Sequence, residues 1–127
     1  MEKYHFIINP KSGSYKGEGI IEKIKARFEG ENLYIHVTEY PGHAKEIVKK
    51  LCLQKDLIIV AVGGDGTINE IAEPMLFSTN LLGIIPNGSG NGLAGHMGIN
   101  KNIESCIEKI KNKHFIECDV IKVNNFI

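Results

Sequence analysis

The sequence lacks both a net charge and a long hydrophobic run. Its 127 residues include 15 basic and 15 acidic side chains, so no overall field favours nucleic acid or an anionic membrane as a partner. The apolar runs end after about six residues, whereas a membrane-spanning helix needs about 20. We expect no signal peptide, because the chain enters a strand-like run almost at once. These absences predict a cytoplasmic globular domain.

Cysteine is scarce and irregularly spaced. The three cysteines, Cys52, Cys106 and Cys118, form no Cys-x-x-Cys pair, and no His-x-x-x-His pattern accompanies them. An odd number at such spacing argues against a disulfide framework or a metal site. We therefore expect reduced cysteines that serve mainly as packing residues.

Strand-like and helix-like patterns alternate along the chain with short connections. This alternation predicts an α/β, Rossmann-like domain of three layers with a mainly parallel sheet. One strand, residues 57–62, is apolar on both faces, which is typical of a central parallel strand. The other predicted strands span residues 4–9, 33–38, 82–86 and 115–127, and the helical stripes centre on Ile24, Val48, Ile71 and Ile107.

Four polar or glycine-rich segments follow predicted strands. Because ligands of open parallel sheets bind beyond the carboxyl ends of the strands, we expect these segments to form one ligand-binding rim. They are residues 10–13, Thr38, residues 63–67 and residues 87–92.

The glycines concentrate at this rim. Nine of the 14 lie between Gly63 and Gly98, and glycine permits positive φ and leaves backbone amides uncovered. Amides at a helix N-terminus attract phosphate. The segment is neither a Walker loop, since no Gly-Lys-Ser/Thr follows, nor a dinucleotide fingerprint, since Asn69 replaces the third glycine.

Asp65 is the discriminating residue of the segment. A carboxylate beside phosphates is repulsive unless a cation or a transferable proton intervenes. Asp65 therefore indicates either Mg²⁺, reached directly or through water, or a base that faces an acceptor hydroxyl.

Structural roles are the alternative for the same residues. Residues 67–70 fit a capping box, in which Thr67 and Glu70 only satisfy free N–H groups. Asp65 could be a further helix-start residue. Ser89 and Asn91 could likewise be ordinary turn residues.

Four motifs in order resemble the diacylglycerol kinase-like catalytic domain of bacterial lipid kinases and sphingosine kinases, with NAD kinases as more distant relatives. They are IINPKSG at residues 7–13, TEYPGHA at 38–44, GGDGTINE at 63–70 and LGIIPNGSGNGLAGHMGI at 82–99. The resemblance implies a kinase that transfers the γ-phosphate of ATP, with Mg²⁺, to a lipid alcohol. Lipid metabolism, including phospholipid biosynthesis, is the implied setting.

The resemblance also implies roles for individual residues. Asp65 would be the catalytic acidic residue, serving the acceptor hydroxyl or holding Mg²⁺ through water. The residues implied to bind the nucleotide are Asn9, Pro10, Lys11, Ser12, Gly13, Thr38, Gly64, Asp65, Gly66, Thr67, Ile68, Asn69, Glu70, Gly88, Ser89 and Asn91.

Two departures from the family pattern affect the expected activity. Gly95 stands where many relatives carry an arginine after the GSGNGLA motif. We also expect residues 1–120 to be the nucleotide-binding domain and residues 121–127 to begin a strand that leads to a second, β-rich domain absent here. The chain alone should therefore transfer phosphate very slowly or not at all.

Its last strand should favour homodimers, and membrane contact would be peripheral, through the absent domain.

Two other functions stay open at this point. One is an NAD-kinase-like phosphotransferase acting on a soluble dinucleotide. The other is a noncatalytic nucleotide-sensing module, which would keep the rim without the chemistry.

Overall fold

The structure is a computed structural model that describes residues 2–10, 17–76, 78–86 and 103–112. Strands and helices alternate in these segments. The strands are β1 (Lys3–Ile8), β2 (Asn32–Val37), β3 (Leu57–Gly63) and β4 (Leu81–Pro86). The helices are α1 (Gly17–Arg27), α2 (His43–Leu51), α3 (Asp65–Met75) and α4 (Ile103–Lys111). The predicted strand at 115–127 and the second glycine-rich segment lie outside the described residues.

The four strands form one parallel sheet in the order β2-β1-β3-β4. The two inner strands, β1 and β3, are almost entirely buried. Strand β3 is buried at all of its positions because helices cover both faces of the sheet, which confirms the reading of its unbroken apolar run. The predicted α/β class with a parallel sheet is therefore confirmed.

Alternate residues of the inner strands supply two separate cores. On one face, side chains such as Ile7, Ile59 and Ala61 pack against α2 and α3. On the other face, Phe6 and Val60 pack with residues of α1 and α4. The period of two along each strand thus produces three layers, with the sheet in the middle.

The two described cysteines are packing residues. Cys106 is buried in the core between α4 and the sheet, and half-buried Cys52 packs against the opposite core. Both are free thiols, as expected, and burial raises the pKa of Cys106. Cys118 lies outside the described residues.

None of the described helices is both long and apolar enough to cross a membrane.

A pair of histidines joins the edge strand β2 to β1. The Nδ1 atom of His5 lies 3.1 Å from Nε2 of His36, a hydrogen bond that needs one shared proton. His5 is 6% exposed and stacks on Tyr34 with ring centroids 4.5 Å apart. Burial, followed by the nearby charge of His36, lowers the pKa of His5 to about 4. His5 is therefore neutral in the folded protein, where it joins β1 to the edge strand β2.

The first prediction concerns acid stability. An unfolded histidine takes up a proton near pH 6.5, whereas folded His5 does so only near pH 4, so its contribution is complete above pH 6.5 and is lost as the pH falls towards 4. The loss should reach about 3 kcal/mol. Denaturant unfolding at pH 7 and pH 4.5 measures it. His5→Phe keeps a ring against Tyr34, and its free energy of unfolding should change less between pH 7 and pH 4.5. An equal change in the variant and in the unchanged protein would contradict the role given to His5.

Candidate functional site

The carboxyl ends of β1, β2 and β3 are held together by hydrogen bonds beyond the strands. The backbone N–H of Asn9 donates to the carbonyl of Val62 at 3.2 Å, and that of Thr38 donates to the carbonyl of Ile8 at 2.9 Å. The Asn9 side chain then reaches across to α3, where its Nδ2 donates to Oγ1 of Thr67 at 3.2 Å. The segments after three strands therefore meet at the start of one helix.

Helix α3 begins directly after β3, with only Gly64 between them. Gly64 is the N-cap in an extended conformation, and the first helical bond runs from the N–H of Ile68 to its carbonyl at 3.0 Å. No side-chain hydrogen bond caps this terminus. The capping-box interpretation is therefore wrong, because Thr67 is the third helical residue, buried and bonded to Asn9. Asp65 is the first helical residue, where a carboxylate suits the helix dipole.

Close packing explains the first glycine of the segment. A Cβ atom on Gly63 would lie 2.8 Å from both Cβ and Oγ1 of Thr67. The expectation of positive φ is not met here: among the described glycines, positive φ occurs at Gly30 and Gly42. At Gly63 the requirement is space for Thr67, and Thr67 in turn holds the Asn9 amide.

A pocket of about 220 Å³ opens at this junction. Four residues predicted from the sequence line it, namely Asn9, Thr38, Thr67 and Glu70, and four others complete it, namely Glu39, Tyr40, Pro41 and Ala44.

The other predicted site residues have different positions. Asp65 and Asn69 are half-buried on α3 but do not line this pocket, and neither does Pro10 in the turn after β1. Ile68 is fully buried in the core beside Ala44, so its side chain cannot face a ligand. Gly64 and Gly66 are helix-start backbone positions. Lys11, Ser12, Gly13, Gly88, Ser89 and Asn91 lie outside the described residues.

Glu70 places a carboxylate at the pocket. Its Oε1 atom is buried and has no hydrogen-bond partner among the residues that the structure describes. A buried carboxylate oxygen is costly unless it accepts a hydrogen bond or contacts a cation. Glu70 therefore contributes a carboxylate to the lining of the pocket.

Sequence reasoning missed the turn between β2 and α2 as a wall of the pocket. Tyr40 and Pro41 come from the TEYPGHA motif, of which only Thr38 was assigned to the nucleotide. Their position in the sequence could have indicated this role, because residues 38–42 also follow the carboxyl end of a strand. An ion pair between Lys45 of α2 and Glu73 of α3, at 3.0 Å, joins the two helices that contribute to the pocket.

Comparison with known proteins decides the family. The model of the diacylglycerol kinase catalytic domain matches residues 3–123. The chain belongs to this family. It is 34% identical over 103 residues to the diacylglycerol kinase of Bacillus subtilis, covering 78% of this chain and 34% of the relative. It is 33% identical over 106 residues to sphingosine kinase B of Dictyostelium discoideum, covering 76% of this chain and 14% of the relative.

A solved structure of a diacylglycerol kinase from Bacillus anthracis agrees with this fold. The TM-score is 0.76 at 29% identity, and the match covers 89% of this chain and 43% of the solved chain. The chain thus spans less than half the length of the relatives to which it is similar. The resemblance drawn from the four motifs is confirmed at the level of the lipid-kinase catalytic-domain family.

The contact between Gly63 and Thr67 gives the second prediction. Gly63→Ala should lower the free energy of unfolding by about 1–3 kcal/mol, because the methyl group must displace Thr67. Gly66→Ala, in the first turn of α3, is the matched control. Its Cβ would meet nothing within 4 Å, and alanine favours a helix over glycine by up to about 1 kcal/mol. Denaturant unfolding of both variants tests this; equal stability of the two would contradict the packing argument.

Proposed function

We propose that this chain is the ATP-binding part of a lipid kinase that transfers the γ-phosphate of Mg·ATP to a lipid hydroxyl. The observation that carries the proposal is the pocket where Asn9, Thr38, Thr67 and Glu70 meet beside the first turns of α3. Diacylglycerol and sphingosine in the names of relatives support a lipid alcohol as acceptor.

Phosphate suits the polar groups of this pocket. The N–H groups of the first helical turn have no carbonyl partner within the helix, and the helix dipole favours negative charge at that end. The Thr38 hydroxyl is already engaged, since it donates to the carbonyl of Ile8 at 3.4 Å, but the side chains of Asn9 and Thr67 carry hydrogen-bond donors. In the proposal these donors hold the phosphates of ATP, while the packing of Thr67 on Gly63 keeps them in place.

The residues also fit a magnesium ion shared with phosphates. Mg²⁺ usually keeps several waters and takes one or two carboxylates together with substrate phosphates. Asp65 and Glu70 each offer a carboxylate of the right chemistry, and one of them would suffice. Within the described segments no group of three or more histidine, cysteine or acidic side chains could hold a metal ion. When bound, the ion would neutralise charge on the phosphate oxygens.

Asp65 and Glu70 would act separately. They lie five residues apart on α3, which places them roughly 140° apart around the helix axis. Glu70 lines the pocket and Asp65 does not. In the proposal Asp65 either holds a magnesium-bound water or takes the proton of the lipid hydroxyl. In the second role, a bond forms between the hydroxyl oxygen and the γ-phosphorus as the bond to the β-phosphate oxygen breaks.

The third prediction tests nucleotide binding and the role of Asp65. Calorimetric titration should show saturable binding of ATP to the chain, and Mg²⁺ should tighten it. If Asp65 serves the metal, Asp65→Asn should remove most of the magnesium effect, on the order of tenfold in affinity or 1.4 kcal/mol.

Asp56→Asn is the matched control, because Asp56 precedes β3 at the opposite end of the sheet. This variant should bind ATP as the unchanged chain does. If Mg²⁺ tightens ATP binding to Asp65→Asn as much as to the unchanged chain, Asp65 serves the acceptor hydroxyl and not the metal. In a chain as long as the relatives, the same variant should then lower the rate of transfer by a factor of about 10² to 10⁴ with little change in binding. Failure of both the chain and its longer form to bind ATP would contradict the proposal.

A further inference from the structure

The turn between β2 and α2 places a pair of stacked rings at the pocket. The rings of Tyr40 and His43 lie 4.4 Å apart, with planes inclined by only 13°. Tyr40 lines the pocket together with Asn9, Thr67 and Glu70. The lining of the pocket therefore combines polar side chains, two of them on α3, with an aromatic ring.

Several hydrogen bonds fix the orientation of these rings. The backbone N–H of Glu39 donates to Nδ1 of His43 at 2.9 Å, so the neutral His43 ring carries its proton on Nε2. The backbone N–H of His43 donates to the carbonyl of Tyr40 at 3.1 Å. Gly42 supports the turn with φ of 89°, a conformation that favours glycine.

The hydroxyl of Tyr40 is anchored as well. It donates to the carboxylate of Glu46, one turn along α2. This hydrogen bond, together with the negative charges of Glu46 and Glu39, raises the pKa of Tyr40 above its usual value.

Tyr40 remains accessible despite these contacts. The side chain is 52% exposed although His43 covers one face of its ring. It also borders a second, open cavity of about 600 Å³ beside α2. An aromatic ring that is half exposed in the lining of a polar pocket and held by a hydrogen bond and a stacked neighbour can receive a planar ligand at little entropic cost.

We propose that the nucleobase of the bound nucleotide stacks on the Tyr40–His43 pair, while its phosphates lie towards Asn9 and the first turn of α3. This inference rests on the proposed function and adds the position of the base. Every nucleobase has a π-face, and stacking on an aromatic side chain strengthens binding substantially whatever the base. Tyr40 is thus a binding residue that contributes affinity for the base and not for the phosphates.

The test compares a ligand that has a base with one that lacks it. The chain is titrated with ATP and with inorganic tripolyphosphate at the same magnesium concentration. Tyr40→Ala should weaken ATP binding by about 5- to 100-fold and leave tripolyphosphate binding unchanged. Tyr40→Phe should keep the ATP affinity, since it retains the ring and loses only the bond to Glu46.

Tyr34→Ala is the matched control. Tyr34 is another exposed tyrosine, on β2, that stacks on His5 and does not line the pocket. Tyr34→Ala should change the affinity for neither ATP nor tripolyphosphate. If Tyr40→Ala binds ATP normally, the inference is wrong and the proposed function stands. If Tyr40→Ala weakens tripolyphosphate equally, Tyr40 acts through the turn and the inference is also wrong. If neither the unchanged chain nor its longer form binds ATP or tripolyphosphate, the proposed function fails and the inference fails with it.

A second measurement avoids substitution altogether. In a nuclear Overhauser experiment on the unchanged chain with ATP, the adenine protons should show contacts with the ring protons of Tyr40. If these contacts are absent when the chain is saturated with ATP, the inference is wrong. This outcome holds even if Tyr40→Ala does not fold.

Discussion

The close approach of Thr67 to Gly63 is the contact on which the pocket depends. Strand β3 ends and helix α3 begins with a single residue between them, so the first helical turn must pack back on the end of the strand. Only the absence of a side chain at Gly63 leaves room for Thr67. Thr67 then accepts a hydrogen bond from Asn9, which joins the end of β1 to the same helix. The polar wall of the pocket is therefore a product of backbone packing, and it needs no net charge.

Much of the fold follows from the sequence because apolar periodicity records burial directly. The unbroken run of residues 57–62 predicted a strand covered on both faces, and β3 is such a strand. Strands β1 and β2 each begin and end one residue earlier than predicted. At the ends of the strands, Asn9 and Thr38 pair with the neighbouring strands through single hydrogen bonds beyond the ladder, a distinction that residue type does not carry.

The residues of the candidate site were harder to predict from the sequence than the fold. Asn9, Thr38, Thr67 and Glu70 could be grouped because each follows or starts an element at the same sheet edge. Thr67 fitted a capping box equally well, and its role depends on the distance to Gly63, which no local pattern encodes. Tyr40 escaped notice because its position is set by the stacking on His43 and by the conformation of Gly42. Ile68 was assigned to the ligand with its motif, although helical spacing directs it into the core.

The central claim is that ATP phosphates bind where α3 starts, beside the ends of β1 and β2. The most direct measurement is the change in backbone amide chemical shifts of the ¹⁵N-labelled chain on addition of Mg·ATP. The account predicts saturable shifts concentrated at Asn9, Thr38 and residues 64–70, with little change in α1 and α4 on the other side of the sheet. Shifts concentrated in α1 and α4, or none at the start of α3 under saturation, would contradict it.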